Sequence, residues 1–173
     1  IDCLNGNGPS DLMEITLKLG SKILIQSKIA ENNQAAIDLM LESIENKNAL
    51  NKFKEIILSQ GGDVDALIGE GVTKNNSIII RSRDSGFIKS IRTDEIGWAL
   101  VEIAAGRKKQ NDKLDYLAGI EFINKVGDKV NKGDAIFRIF GNDSDRLNHA
   151  KKMLQKTYSL AKTKIRKNEL IFN

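Results

Sequence analysis

A single cysteine, Cys3, in 173 residues excludes an intrachain disulfide and any cysteine-rich metal site. It points instead to a reducing compartment. There is also a single histidine, His149, so a metal centre would have to be built from carboxylates and carbonyls, and no D-x-D-x-D-G loop is present to supply them. No apolar run is long enough to span a membrane; the strongest, "SIIIR", is short and bounded by charge. A cationic start followed by an apolar stretch is missing too, which leaves no signal peptide and makes a cytoplasmic location the expectation. The chain does not begin with Met. Its opening "IDCLNGNGPSD" reads as the end of a helix running into a turn, so the expectation is part of something longer, a proteolytic remnant rather than a designed domain.

What is present describes an ordinary globular chain. Hydrophobic residues make up 40% and charged residues 29%, and 27 basic against 23 acidic residues give a net charge of +4 that is too dispersed to argue for nucleic acid. After the "NGNGP" breaker, Pro9, Ser10 and Asp11 open a helix over about 11 to 30, with Ser10 and Asp11 as available caps. Its core face is read from Leu12, Ile15, Leu19, Ile23 and Leu24. A second helix is marked by Ala36, Ile37, Met40, Leu41 and Ile44, and a third by Ala49, Leu50, Phe53, Ile56 and Ile57, closed by Gly61 and Gly62. Three such helices are too small a set to bury all their apolar faces alone.

The hydrophobic period changes near residue 77. "SIIIRSR" and "GFIKSIRT" read as two strands with Asp84, Ser85 and Gly86 as the turn between them. Ile96, Leu100, Ile103 and Ala104 suit a short helix on which Trp98 is a large core or interface side chain. "LDYLAGIEFI" leads into a second strand pair, a last helix runs from about 143 to 161 with Tyr158 on its buried side, and the tail "KTKIRKNELIFN" adds an edge strand. The fold class expected is α+β: three amphipathic helices, then a β domain with one inserted helix and a C-terminal helix.

The stretch "VGDKVNKGD" (126–134) carries the clearest local physics. Gly127 and Gly133 permit backbone angles that a Cβ would resist, Asp128 closes a turn through its own side chain, and Val130 points inward while Lys125, Lys129 and Lys132 face water. Such a turn joins two strands in swinging-arm carrier domains. The attachment lysine of a biotin carrier is flanked by Met, however, and no "MKM" is present: Met13, Met40 and Met153 all fall on helices.

Other candidates for chemistry are weighed in the same way. His149, in "RLNHAKK", has no neighbour that would orient it as a base and reads as a surface or helix-cap residue. A phosphate loop needs consecutive amides aimed at one point. "NGNGPSD" and "LSQGGDVDA" have glycines, but Asp11 and Asp63 would repel the anion. "AAGRKKQNDKLD" is the best anion candidate through Arg107, Lys108 and Lys109, yet it follows a helix C-terminus, where the dipole opposes an anion. The expectation there is structural: Gly106 at the helix C-cap with positive φ, Arg107 satisfying the last carbonyls, and Asp112 and Asp115 paired with the local cations.

Several segments, in order, are similar to the C-terminal part of bacterial pyrimidine-nucleoside phosphorylases, the family that includes thymidine phosphorylase: "LNGNGPSDLMEITLKLG" (4–20), "NALNKFKEIILSQGGD" (48–63) and "DSGFIKSIRTDEIGWALVEIAAGRKKQNDKLDYLAGIEFINKVGDKVNKGDAIFRI" (84–139). "AAGRK", the spaced Asp residues and "VGDKVNKGD" are its most specific parts. The resemblance implies residues 1–76 as the helical remainder of a central α/β domain and 77–173 as a C-terminal domain of the barrel-sandwich, carrier-like type without a prosthetic group. It implies an enzyme that uses phosphate to cleave uridine, deoxyuridine or thymidine to base and (deoxy)ribose 1-phosphate, working as a homodimer.

The resemblance implies that the family's phosphate loop, its base-binding Arg, Ser, Lys and His and its main dimer helices lie upstream of Ile1, and that a structural cation is bound mainly upstream. No catalytic, cofactor-binding or metal residue is therefore carried over, no cofactor is expected, and the expected partners are the missing N-terminal part, the nucleoside and phosphate, with no nucleic acid and no membrane. Two alternatives are set beside this: a carrier domain with biotin or lipoate on a lysine such as Lys108, and a small basic module binding through 107–113 and 162–167. The second needs Lys151, Lys152, Lys156, Lys162, Lys164, Arg166 and Lys167 on one continuous face.

Overall fold

The computed structural model describes residues 1–68, 76–167 and 170. They divide into two compact units, one helical over 1–68 and one mixed over 76–167. In the helical unit a short 3-10 turn, Cys3–Asn5, precedes α1 (Ser10–Gln26), α2 (Asn33–Glu45), α3 (Asn48–Ser59) and α4 (Val64–Ile68). Pro9 is the N-cap of α1, with no side-chain cap from it, and the Asp11 carboxylate accepts from the Leu12 amide at 2.9 Å. Asn32 ends the preceding turn and caps α2, accepting from the Ala35 amide at 3.0 Å.

The buried face of α1 differs from the one the periodicity suggested. Leu24 lines the cleft against α2 as expected and Ile15 is half-buried, but Leu12, Leu19 and Ile23 are 49%, 58% and 64% exposed, and Met13 and Leu17 turn in their place toward Leu39, Met40 and Ile44 of α2. Both stripes have helical spacing, so the pattern alone could not choose between them. Met13, Leu17, Leu24 and the side chains named on α2 line an apolar cleft of about 400 Å³, and Ala30 and Ala36 are the buried apolar residues of this unit among the described residues.

The second unit holds six strands in two antiparallel sheets of three, ordered β1-β5-β3 and β4-β2-β6. Their ranges are β1 Ser77–Arg81, β2 Gly86–Ile91, β3 Gly119–Phe122, β4 Lys129–Val130, β5 Ala135–Phe140 and β6 Tyr158–Ala161; α5 (Thr93–Glu102) and α6 (Ser144–Leu154) complete it. The α+β class is thus as expected. The first strand pair is not a hairpin, however: β1 pairs with β5, and β2 pairs with β4 and β6. Ser82, buried, donates its amide to Asp134 O at 2.8 Å and accepts from the Gly133 amide at 2.9 Å. These bonds keep the chain against the turn before β5 after β1 has ended, so Asp84 and Ser85 form a corner between sheets.

The core lies between the sheets and the two helices. Ile80, Ile88, Val130, Ile136, Phe137 and Ile139 come from strands, Ile96, Ala99, Leu147, Ala150 and Leu154 from α5 and α6, and Ile103 from the residue just after α5. Phe137 is fully buried between Phe122 and Tyr158, edge-on to both at centroid distances of 5.2 and 6.2 Å. Trp98 is not part of this core: it is 63% exposed on the outer face of α5.

The last helix is shorter than its pattern implied. Asp143 caps α6 by accepting from the Asp145 and Arg146 amides at 3.0 and 3.1 Å, and the helix stops at Leu154. Thr157 donates its hydroxyl to Leu154 O, and the chain turns into β6, where Tyr158 and Leu160 pair with Ile91 and Ile88. Residues 158–161 form an edge strand, 162–167 form none, and the rest of the tail, apart from Leu170, lies outside the described residues.

Two measurements probe this framework. Phe137→Ala should lower stability by about 3–5 kcal/mol in urea unfolding, the usual cost of deleting a fully buried ring. Ala104, just beyond α5, has φ +64°. Ala104→Gly should raise stability by roughly 0.5–1 kcal/mol, because relief of about 1–2 kcal/mol of left-handed strain exceeds the added unfolded-state entropy of about 0.4–1 kcal/mol.

Candidate functional site

The cations of "GRKKQNDK" follow the end of α5. The helix closes with the Ala105 amide on Leu100 O at 2.9 Å and the Ala104 amide on Val101 O at 3.1 Å, a Schellman pair with Ala104 in the left-handed position. The expectation for Gly106 is corrected: the C-cap is Ile103, and Gly106 has no positive φ. A Cβ there would stand 3.0 Å from Val101 Cγ2, a tight contact that the Val101 side chain would have to yield to. Nor does Arg107 serve the last carbonyls. Arg146 of α6 donates to Glu102 O at 3.4 Å, and the Asp115 amide donates to Ala104 O at 2.9 Å.

Asp112 and Asp115 work differently from the cation partners envisaged. Asp112 Oδ2 accepts the consecutive backbone amides of Lys108 and Lys109, both at 2.9 Å. The Lys109 amide, helped by the Lys108 amide and by the charges of Lys109 and Arg146, outweighs local desolvation and holds the exposed Asp112 carboxyl below its usual range. Two adjacent amides aimed at one point are what a phosphate loop requires, and here they are aimed at the chain's own carboxylate. Asp63 does the same in "LSQGGDVDA", accepting the Asp65 and Ala66 amides at 2.9 and 3.0 Å. Asp115 joins the loop to the start of α6 by accepting the Asn142 amide and side chain at 2.7 and 3.0 Å.

Glu102 is the residue that local sequence reading missed. It is the last residue of α5, where the helix dipole disfavours a carboxylate. Lys108 Nζ lies 2.8 Å from its Oε2 and His149 Nδ1 2.9 Å from its Oε1. With a carboxylate as partner, Nδ1 carries the proton and donates. His149 is thus an exposed helix residue with an orienting acid, and the separation of 47 positions hid the pair. The hydrogen bond from Lys108, then that from His149, outweigh burial and lower the Glu102 carboxyl from 4.5 to about 2. Beside this cluster a hollow of about 430 Å³ is lined by Ile103, Lys113, Tyr116, Leu117 and Arg146 among others. Arg146, one of the two cations lining it, already faces Asp143 at 3.4 Å.

The "VGDKVNKGD" turn is as its sequence implies. Gly127 and Gly133 have φ +90° and +93°, Val130 is fully buried, and Lys125, Lys129 and Lys132 are exposed. Asp128 Oδ2 accepts the Lys125 amide at 2.8 Å while its Oδ1 meets Lys167 Nζ at 2.7 Å. Burial pushes the Asp128 carboxyl up, but the Lys167 and Lys125 hydrogen bonds together bring it below its usual range.

Lys108, the lysine considered for a carrier arm, lies in the loop after α5 rather than at a turn between paired strands, with its amine on Glu102. The cations from Lys151 to Lys167 do not share one helix: α6 ends at Leu154, Lys156 stands between it and β6, and Lys162, Lys164, Arg166 and Lys167 follow β6. Among the described residues no group of three or more His, Cys, Asp and Glu could hold a metal ion, and no helix is long and apolar enough to cross a membrane.

Because the Glu102 carboxyl is depressed in the folded chain, its contribution to stability is complete above about 4.5 and disappears as pH falls toward about 2. Thermal unfolding of Glu102→Gln should therefore show a deficit against wild type at neutral pH that shrinks through this window, the two curves converging near its lower end.

Residues 87–161 match the family model of the pyrimidine nucleoside phosphorylase C-terminal domain. The chain is 38% identical over 144 residues to the pyrimidine-nucleoside phosphorylase of Staphylococcus haemolyticus (strain JCSC1435), covering 82% of this chain and 33% of that protein. It is 35% identical over 144 residues to that of Bacillus subtilis (strain 168), with the same shares of each chain, and 35% identical over 148 residues to that of Staphylococcus aureus (strain USA300), covering 84% and 34%. The chain spans about a third of the length of the curated relatives it matches. The chain belongs to the pyrimidine-nucleoside phosphorylase family, and residues 87–161 are its C-terminal domain.

Proposed function

We propose that the whole protein is a pentosyltransferase of pyrimidine salvage: with inorganic phosphate it cleaves uridine, deoxyuridine or thymidine to the free base and a (deoxy)ribose 1-phosphate. The observation that carries this reading is 38% identity, over 82% of the chain, to a relative named for that activity. The reaction places phosphate at the anomeric carbon and stabilises charge on the departing pyrimidine, so it needs fixed positive groups and free amides around one point. In this chain the best such groups are committed elsewhere, Lys108 to Glu102 and the Lys108 and Lys109 amides to Asp112.

The 173 residues accordingly serve as scaffold for a cytoplasmic homodimer whose phosphate and base sites are formed by the rest of the polypeptide. In this reading α1 to α3 are the helical layer of a central α/β domain. The exposed stripe of Leu12, Leu19 and Ile23 is the face such a layer would present to a sheet. Residues 77–173 are the appended C-terminal domain.

The test is release of free uracil or thymine, followed by chromatography, from uridine and thymidine with and without phosphate. The longer gene product should turn over both in a phosphate-dependent way, and the 173-residue chain should release no base. Phosphate-dependent release by the short chain would overturn the scaffold role, and none from the longer product would overturn the activity.

A further inference from the structure

Gly97 and Trp98 stand side by side on the outer face of α5, whose opposite face carries Ile96 and Ala99 into the core. Either residue alone would be unremarked, since single exposed apolar side chains are common. Together they conflict with what a solvated helix needs. Glycine is the poorest helix former after proline, and nothing lies within 4 Å of the point where a Cβ on Gly97 would stand, so no described neighbour requires it. Trp98, the chain's one tryptophan, is 63% in water. A bare stretch of helix backbone next to a large aromatic anchor is the equipment of a packed contact: the glycine admits close approach and the ring fills a pocket opposite.

We propose that this face of α5 is covered in the longer protein by the part of the polypeptide that precedes this chain; the proposal rests on the functional reading above. Two observations select that occupant. The chain accounts for only 33% of its relative's length and holds the C-terminal domain, so a large preceding portion is available. The patch is also small: Thr93 and Asp94 are the other exposed α5 residues on this side. A separate partner needs about 800 Å² on each side to hold on, whereas a tethered segment does not bear the full cost of association.

The sign of one substitution separates the cases. In the 173-residue chain, where the face is open, Gly97→Ala should raise the Tm, as expected of a better helix former. In the longer protein the same change should lower it, and Gly97→Gln should lower it further. Wild-type protein gives an independent reading: the Trp98 signal, isolated as the difference from Trp98→Phe, should be blue-shifted and resist acrylamide quenching in the longer protein but not in the short chain. A rise in Tm on Gly97→Ala in the longer protein, with Trp98 equally quenched in both, would overturn the proposal. Shielding that appears only as protein concentration drives dimerisation in sedimentation would overturn it in favour of a second copy. Phosphorolysis by the wild-type longer protein is scored separately. Turnover with an open α5 face would remove this proposal alone, and a covered face without turnover would remove only the functional reading.

Discussion

The second unit depends on a few backbone hydrogen bonds that make one connection serve two sheets. The link from β3 to β5 remains within one sheet by pairing, yet its middle residues, β4, belong to the other. The Ile88 amide donates to Asp128 O at 2.9 Å and the Gly127 amide to Ile88 O at 2.8 Å, while Ser82 is bound in both directions to Gly133 and Asp134. Neither three-stranded sheet would be stable with an uncovered apolar face. Tied across Ile88 and Ser82, they share with α5 and α6 one core in which Phe137 and Val130 are fully buried.

Charge in this unit is spent on architecture. Asp112, Asp115 and Asp128 each accept backbone amides, and Glu102 gathers a lysine from a loop and a histidine from another helix. Carboxylates used in this way fix loops that contain no regular structure, and in doing so they occupy the amides and cations that an external anion would need. The same residues therefore explain why a loop rich in Lys and Arg is ordered and why it is a poor phosphate site.

Features set by neighbouring residues were legible in the sequence; features set by distant ones were not. The "VGDKVNKGD" turn could be read nearly residue by residue, because Gly127, Asp128, Val130 and Gly133 act through local backbone geometry. Three of the four α-helices of the first unit, α1 to α3, were likewise visible in their spacing. The pairing of β1 with β5 rather than β2 was not, since it depends on Ser82 meeting a turn some fifty positions away. Tyr158 fits a helical stripe and a strand equally well, and the open edge of β2 decides for the strand. Trp98 was assigned to core or interface by its size, and only its exposure removes the first option. Glu102 offered one local hint, a carboxylate at the wrong end of a helix dipole, without naming the partners that correct it.

The placement of β1 at the rim of its sheet has a consequence for association. Ile78, Ile79 and Ile80 form a short run of strong β-formers, and among the described residues one side of the strand has no neighbouring strand in the sheet order. Such an edge is a template for another chain. Two devices blunt it. The register shifts between Ile80 and Arg81, twisting the strand where it would otherwise extend, and Arg81 and Arg83 are tied by side-chain hydrogen bonds to Gly133 O and Gln155. The irregular end of β1 thus acts as a guard against fibrous self-assembly.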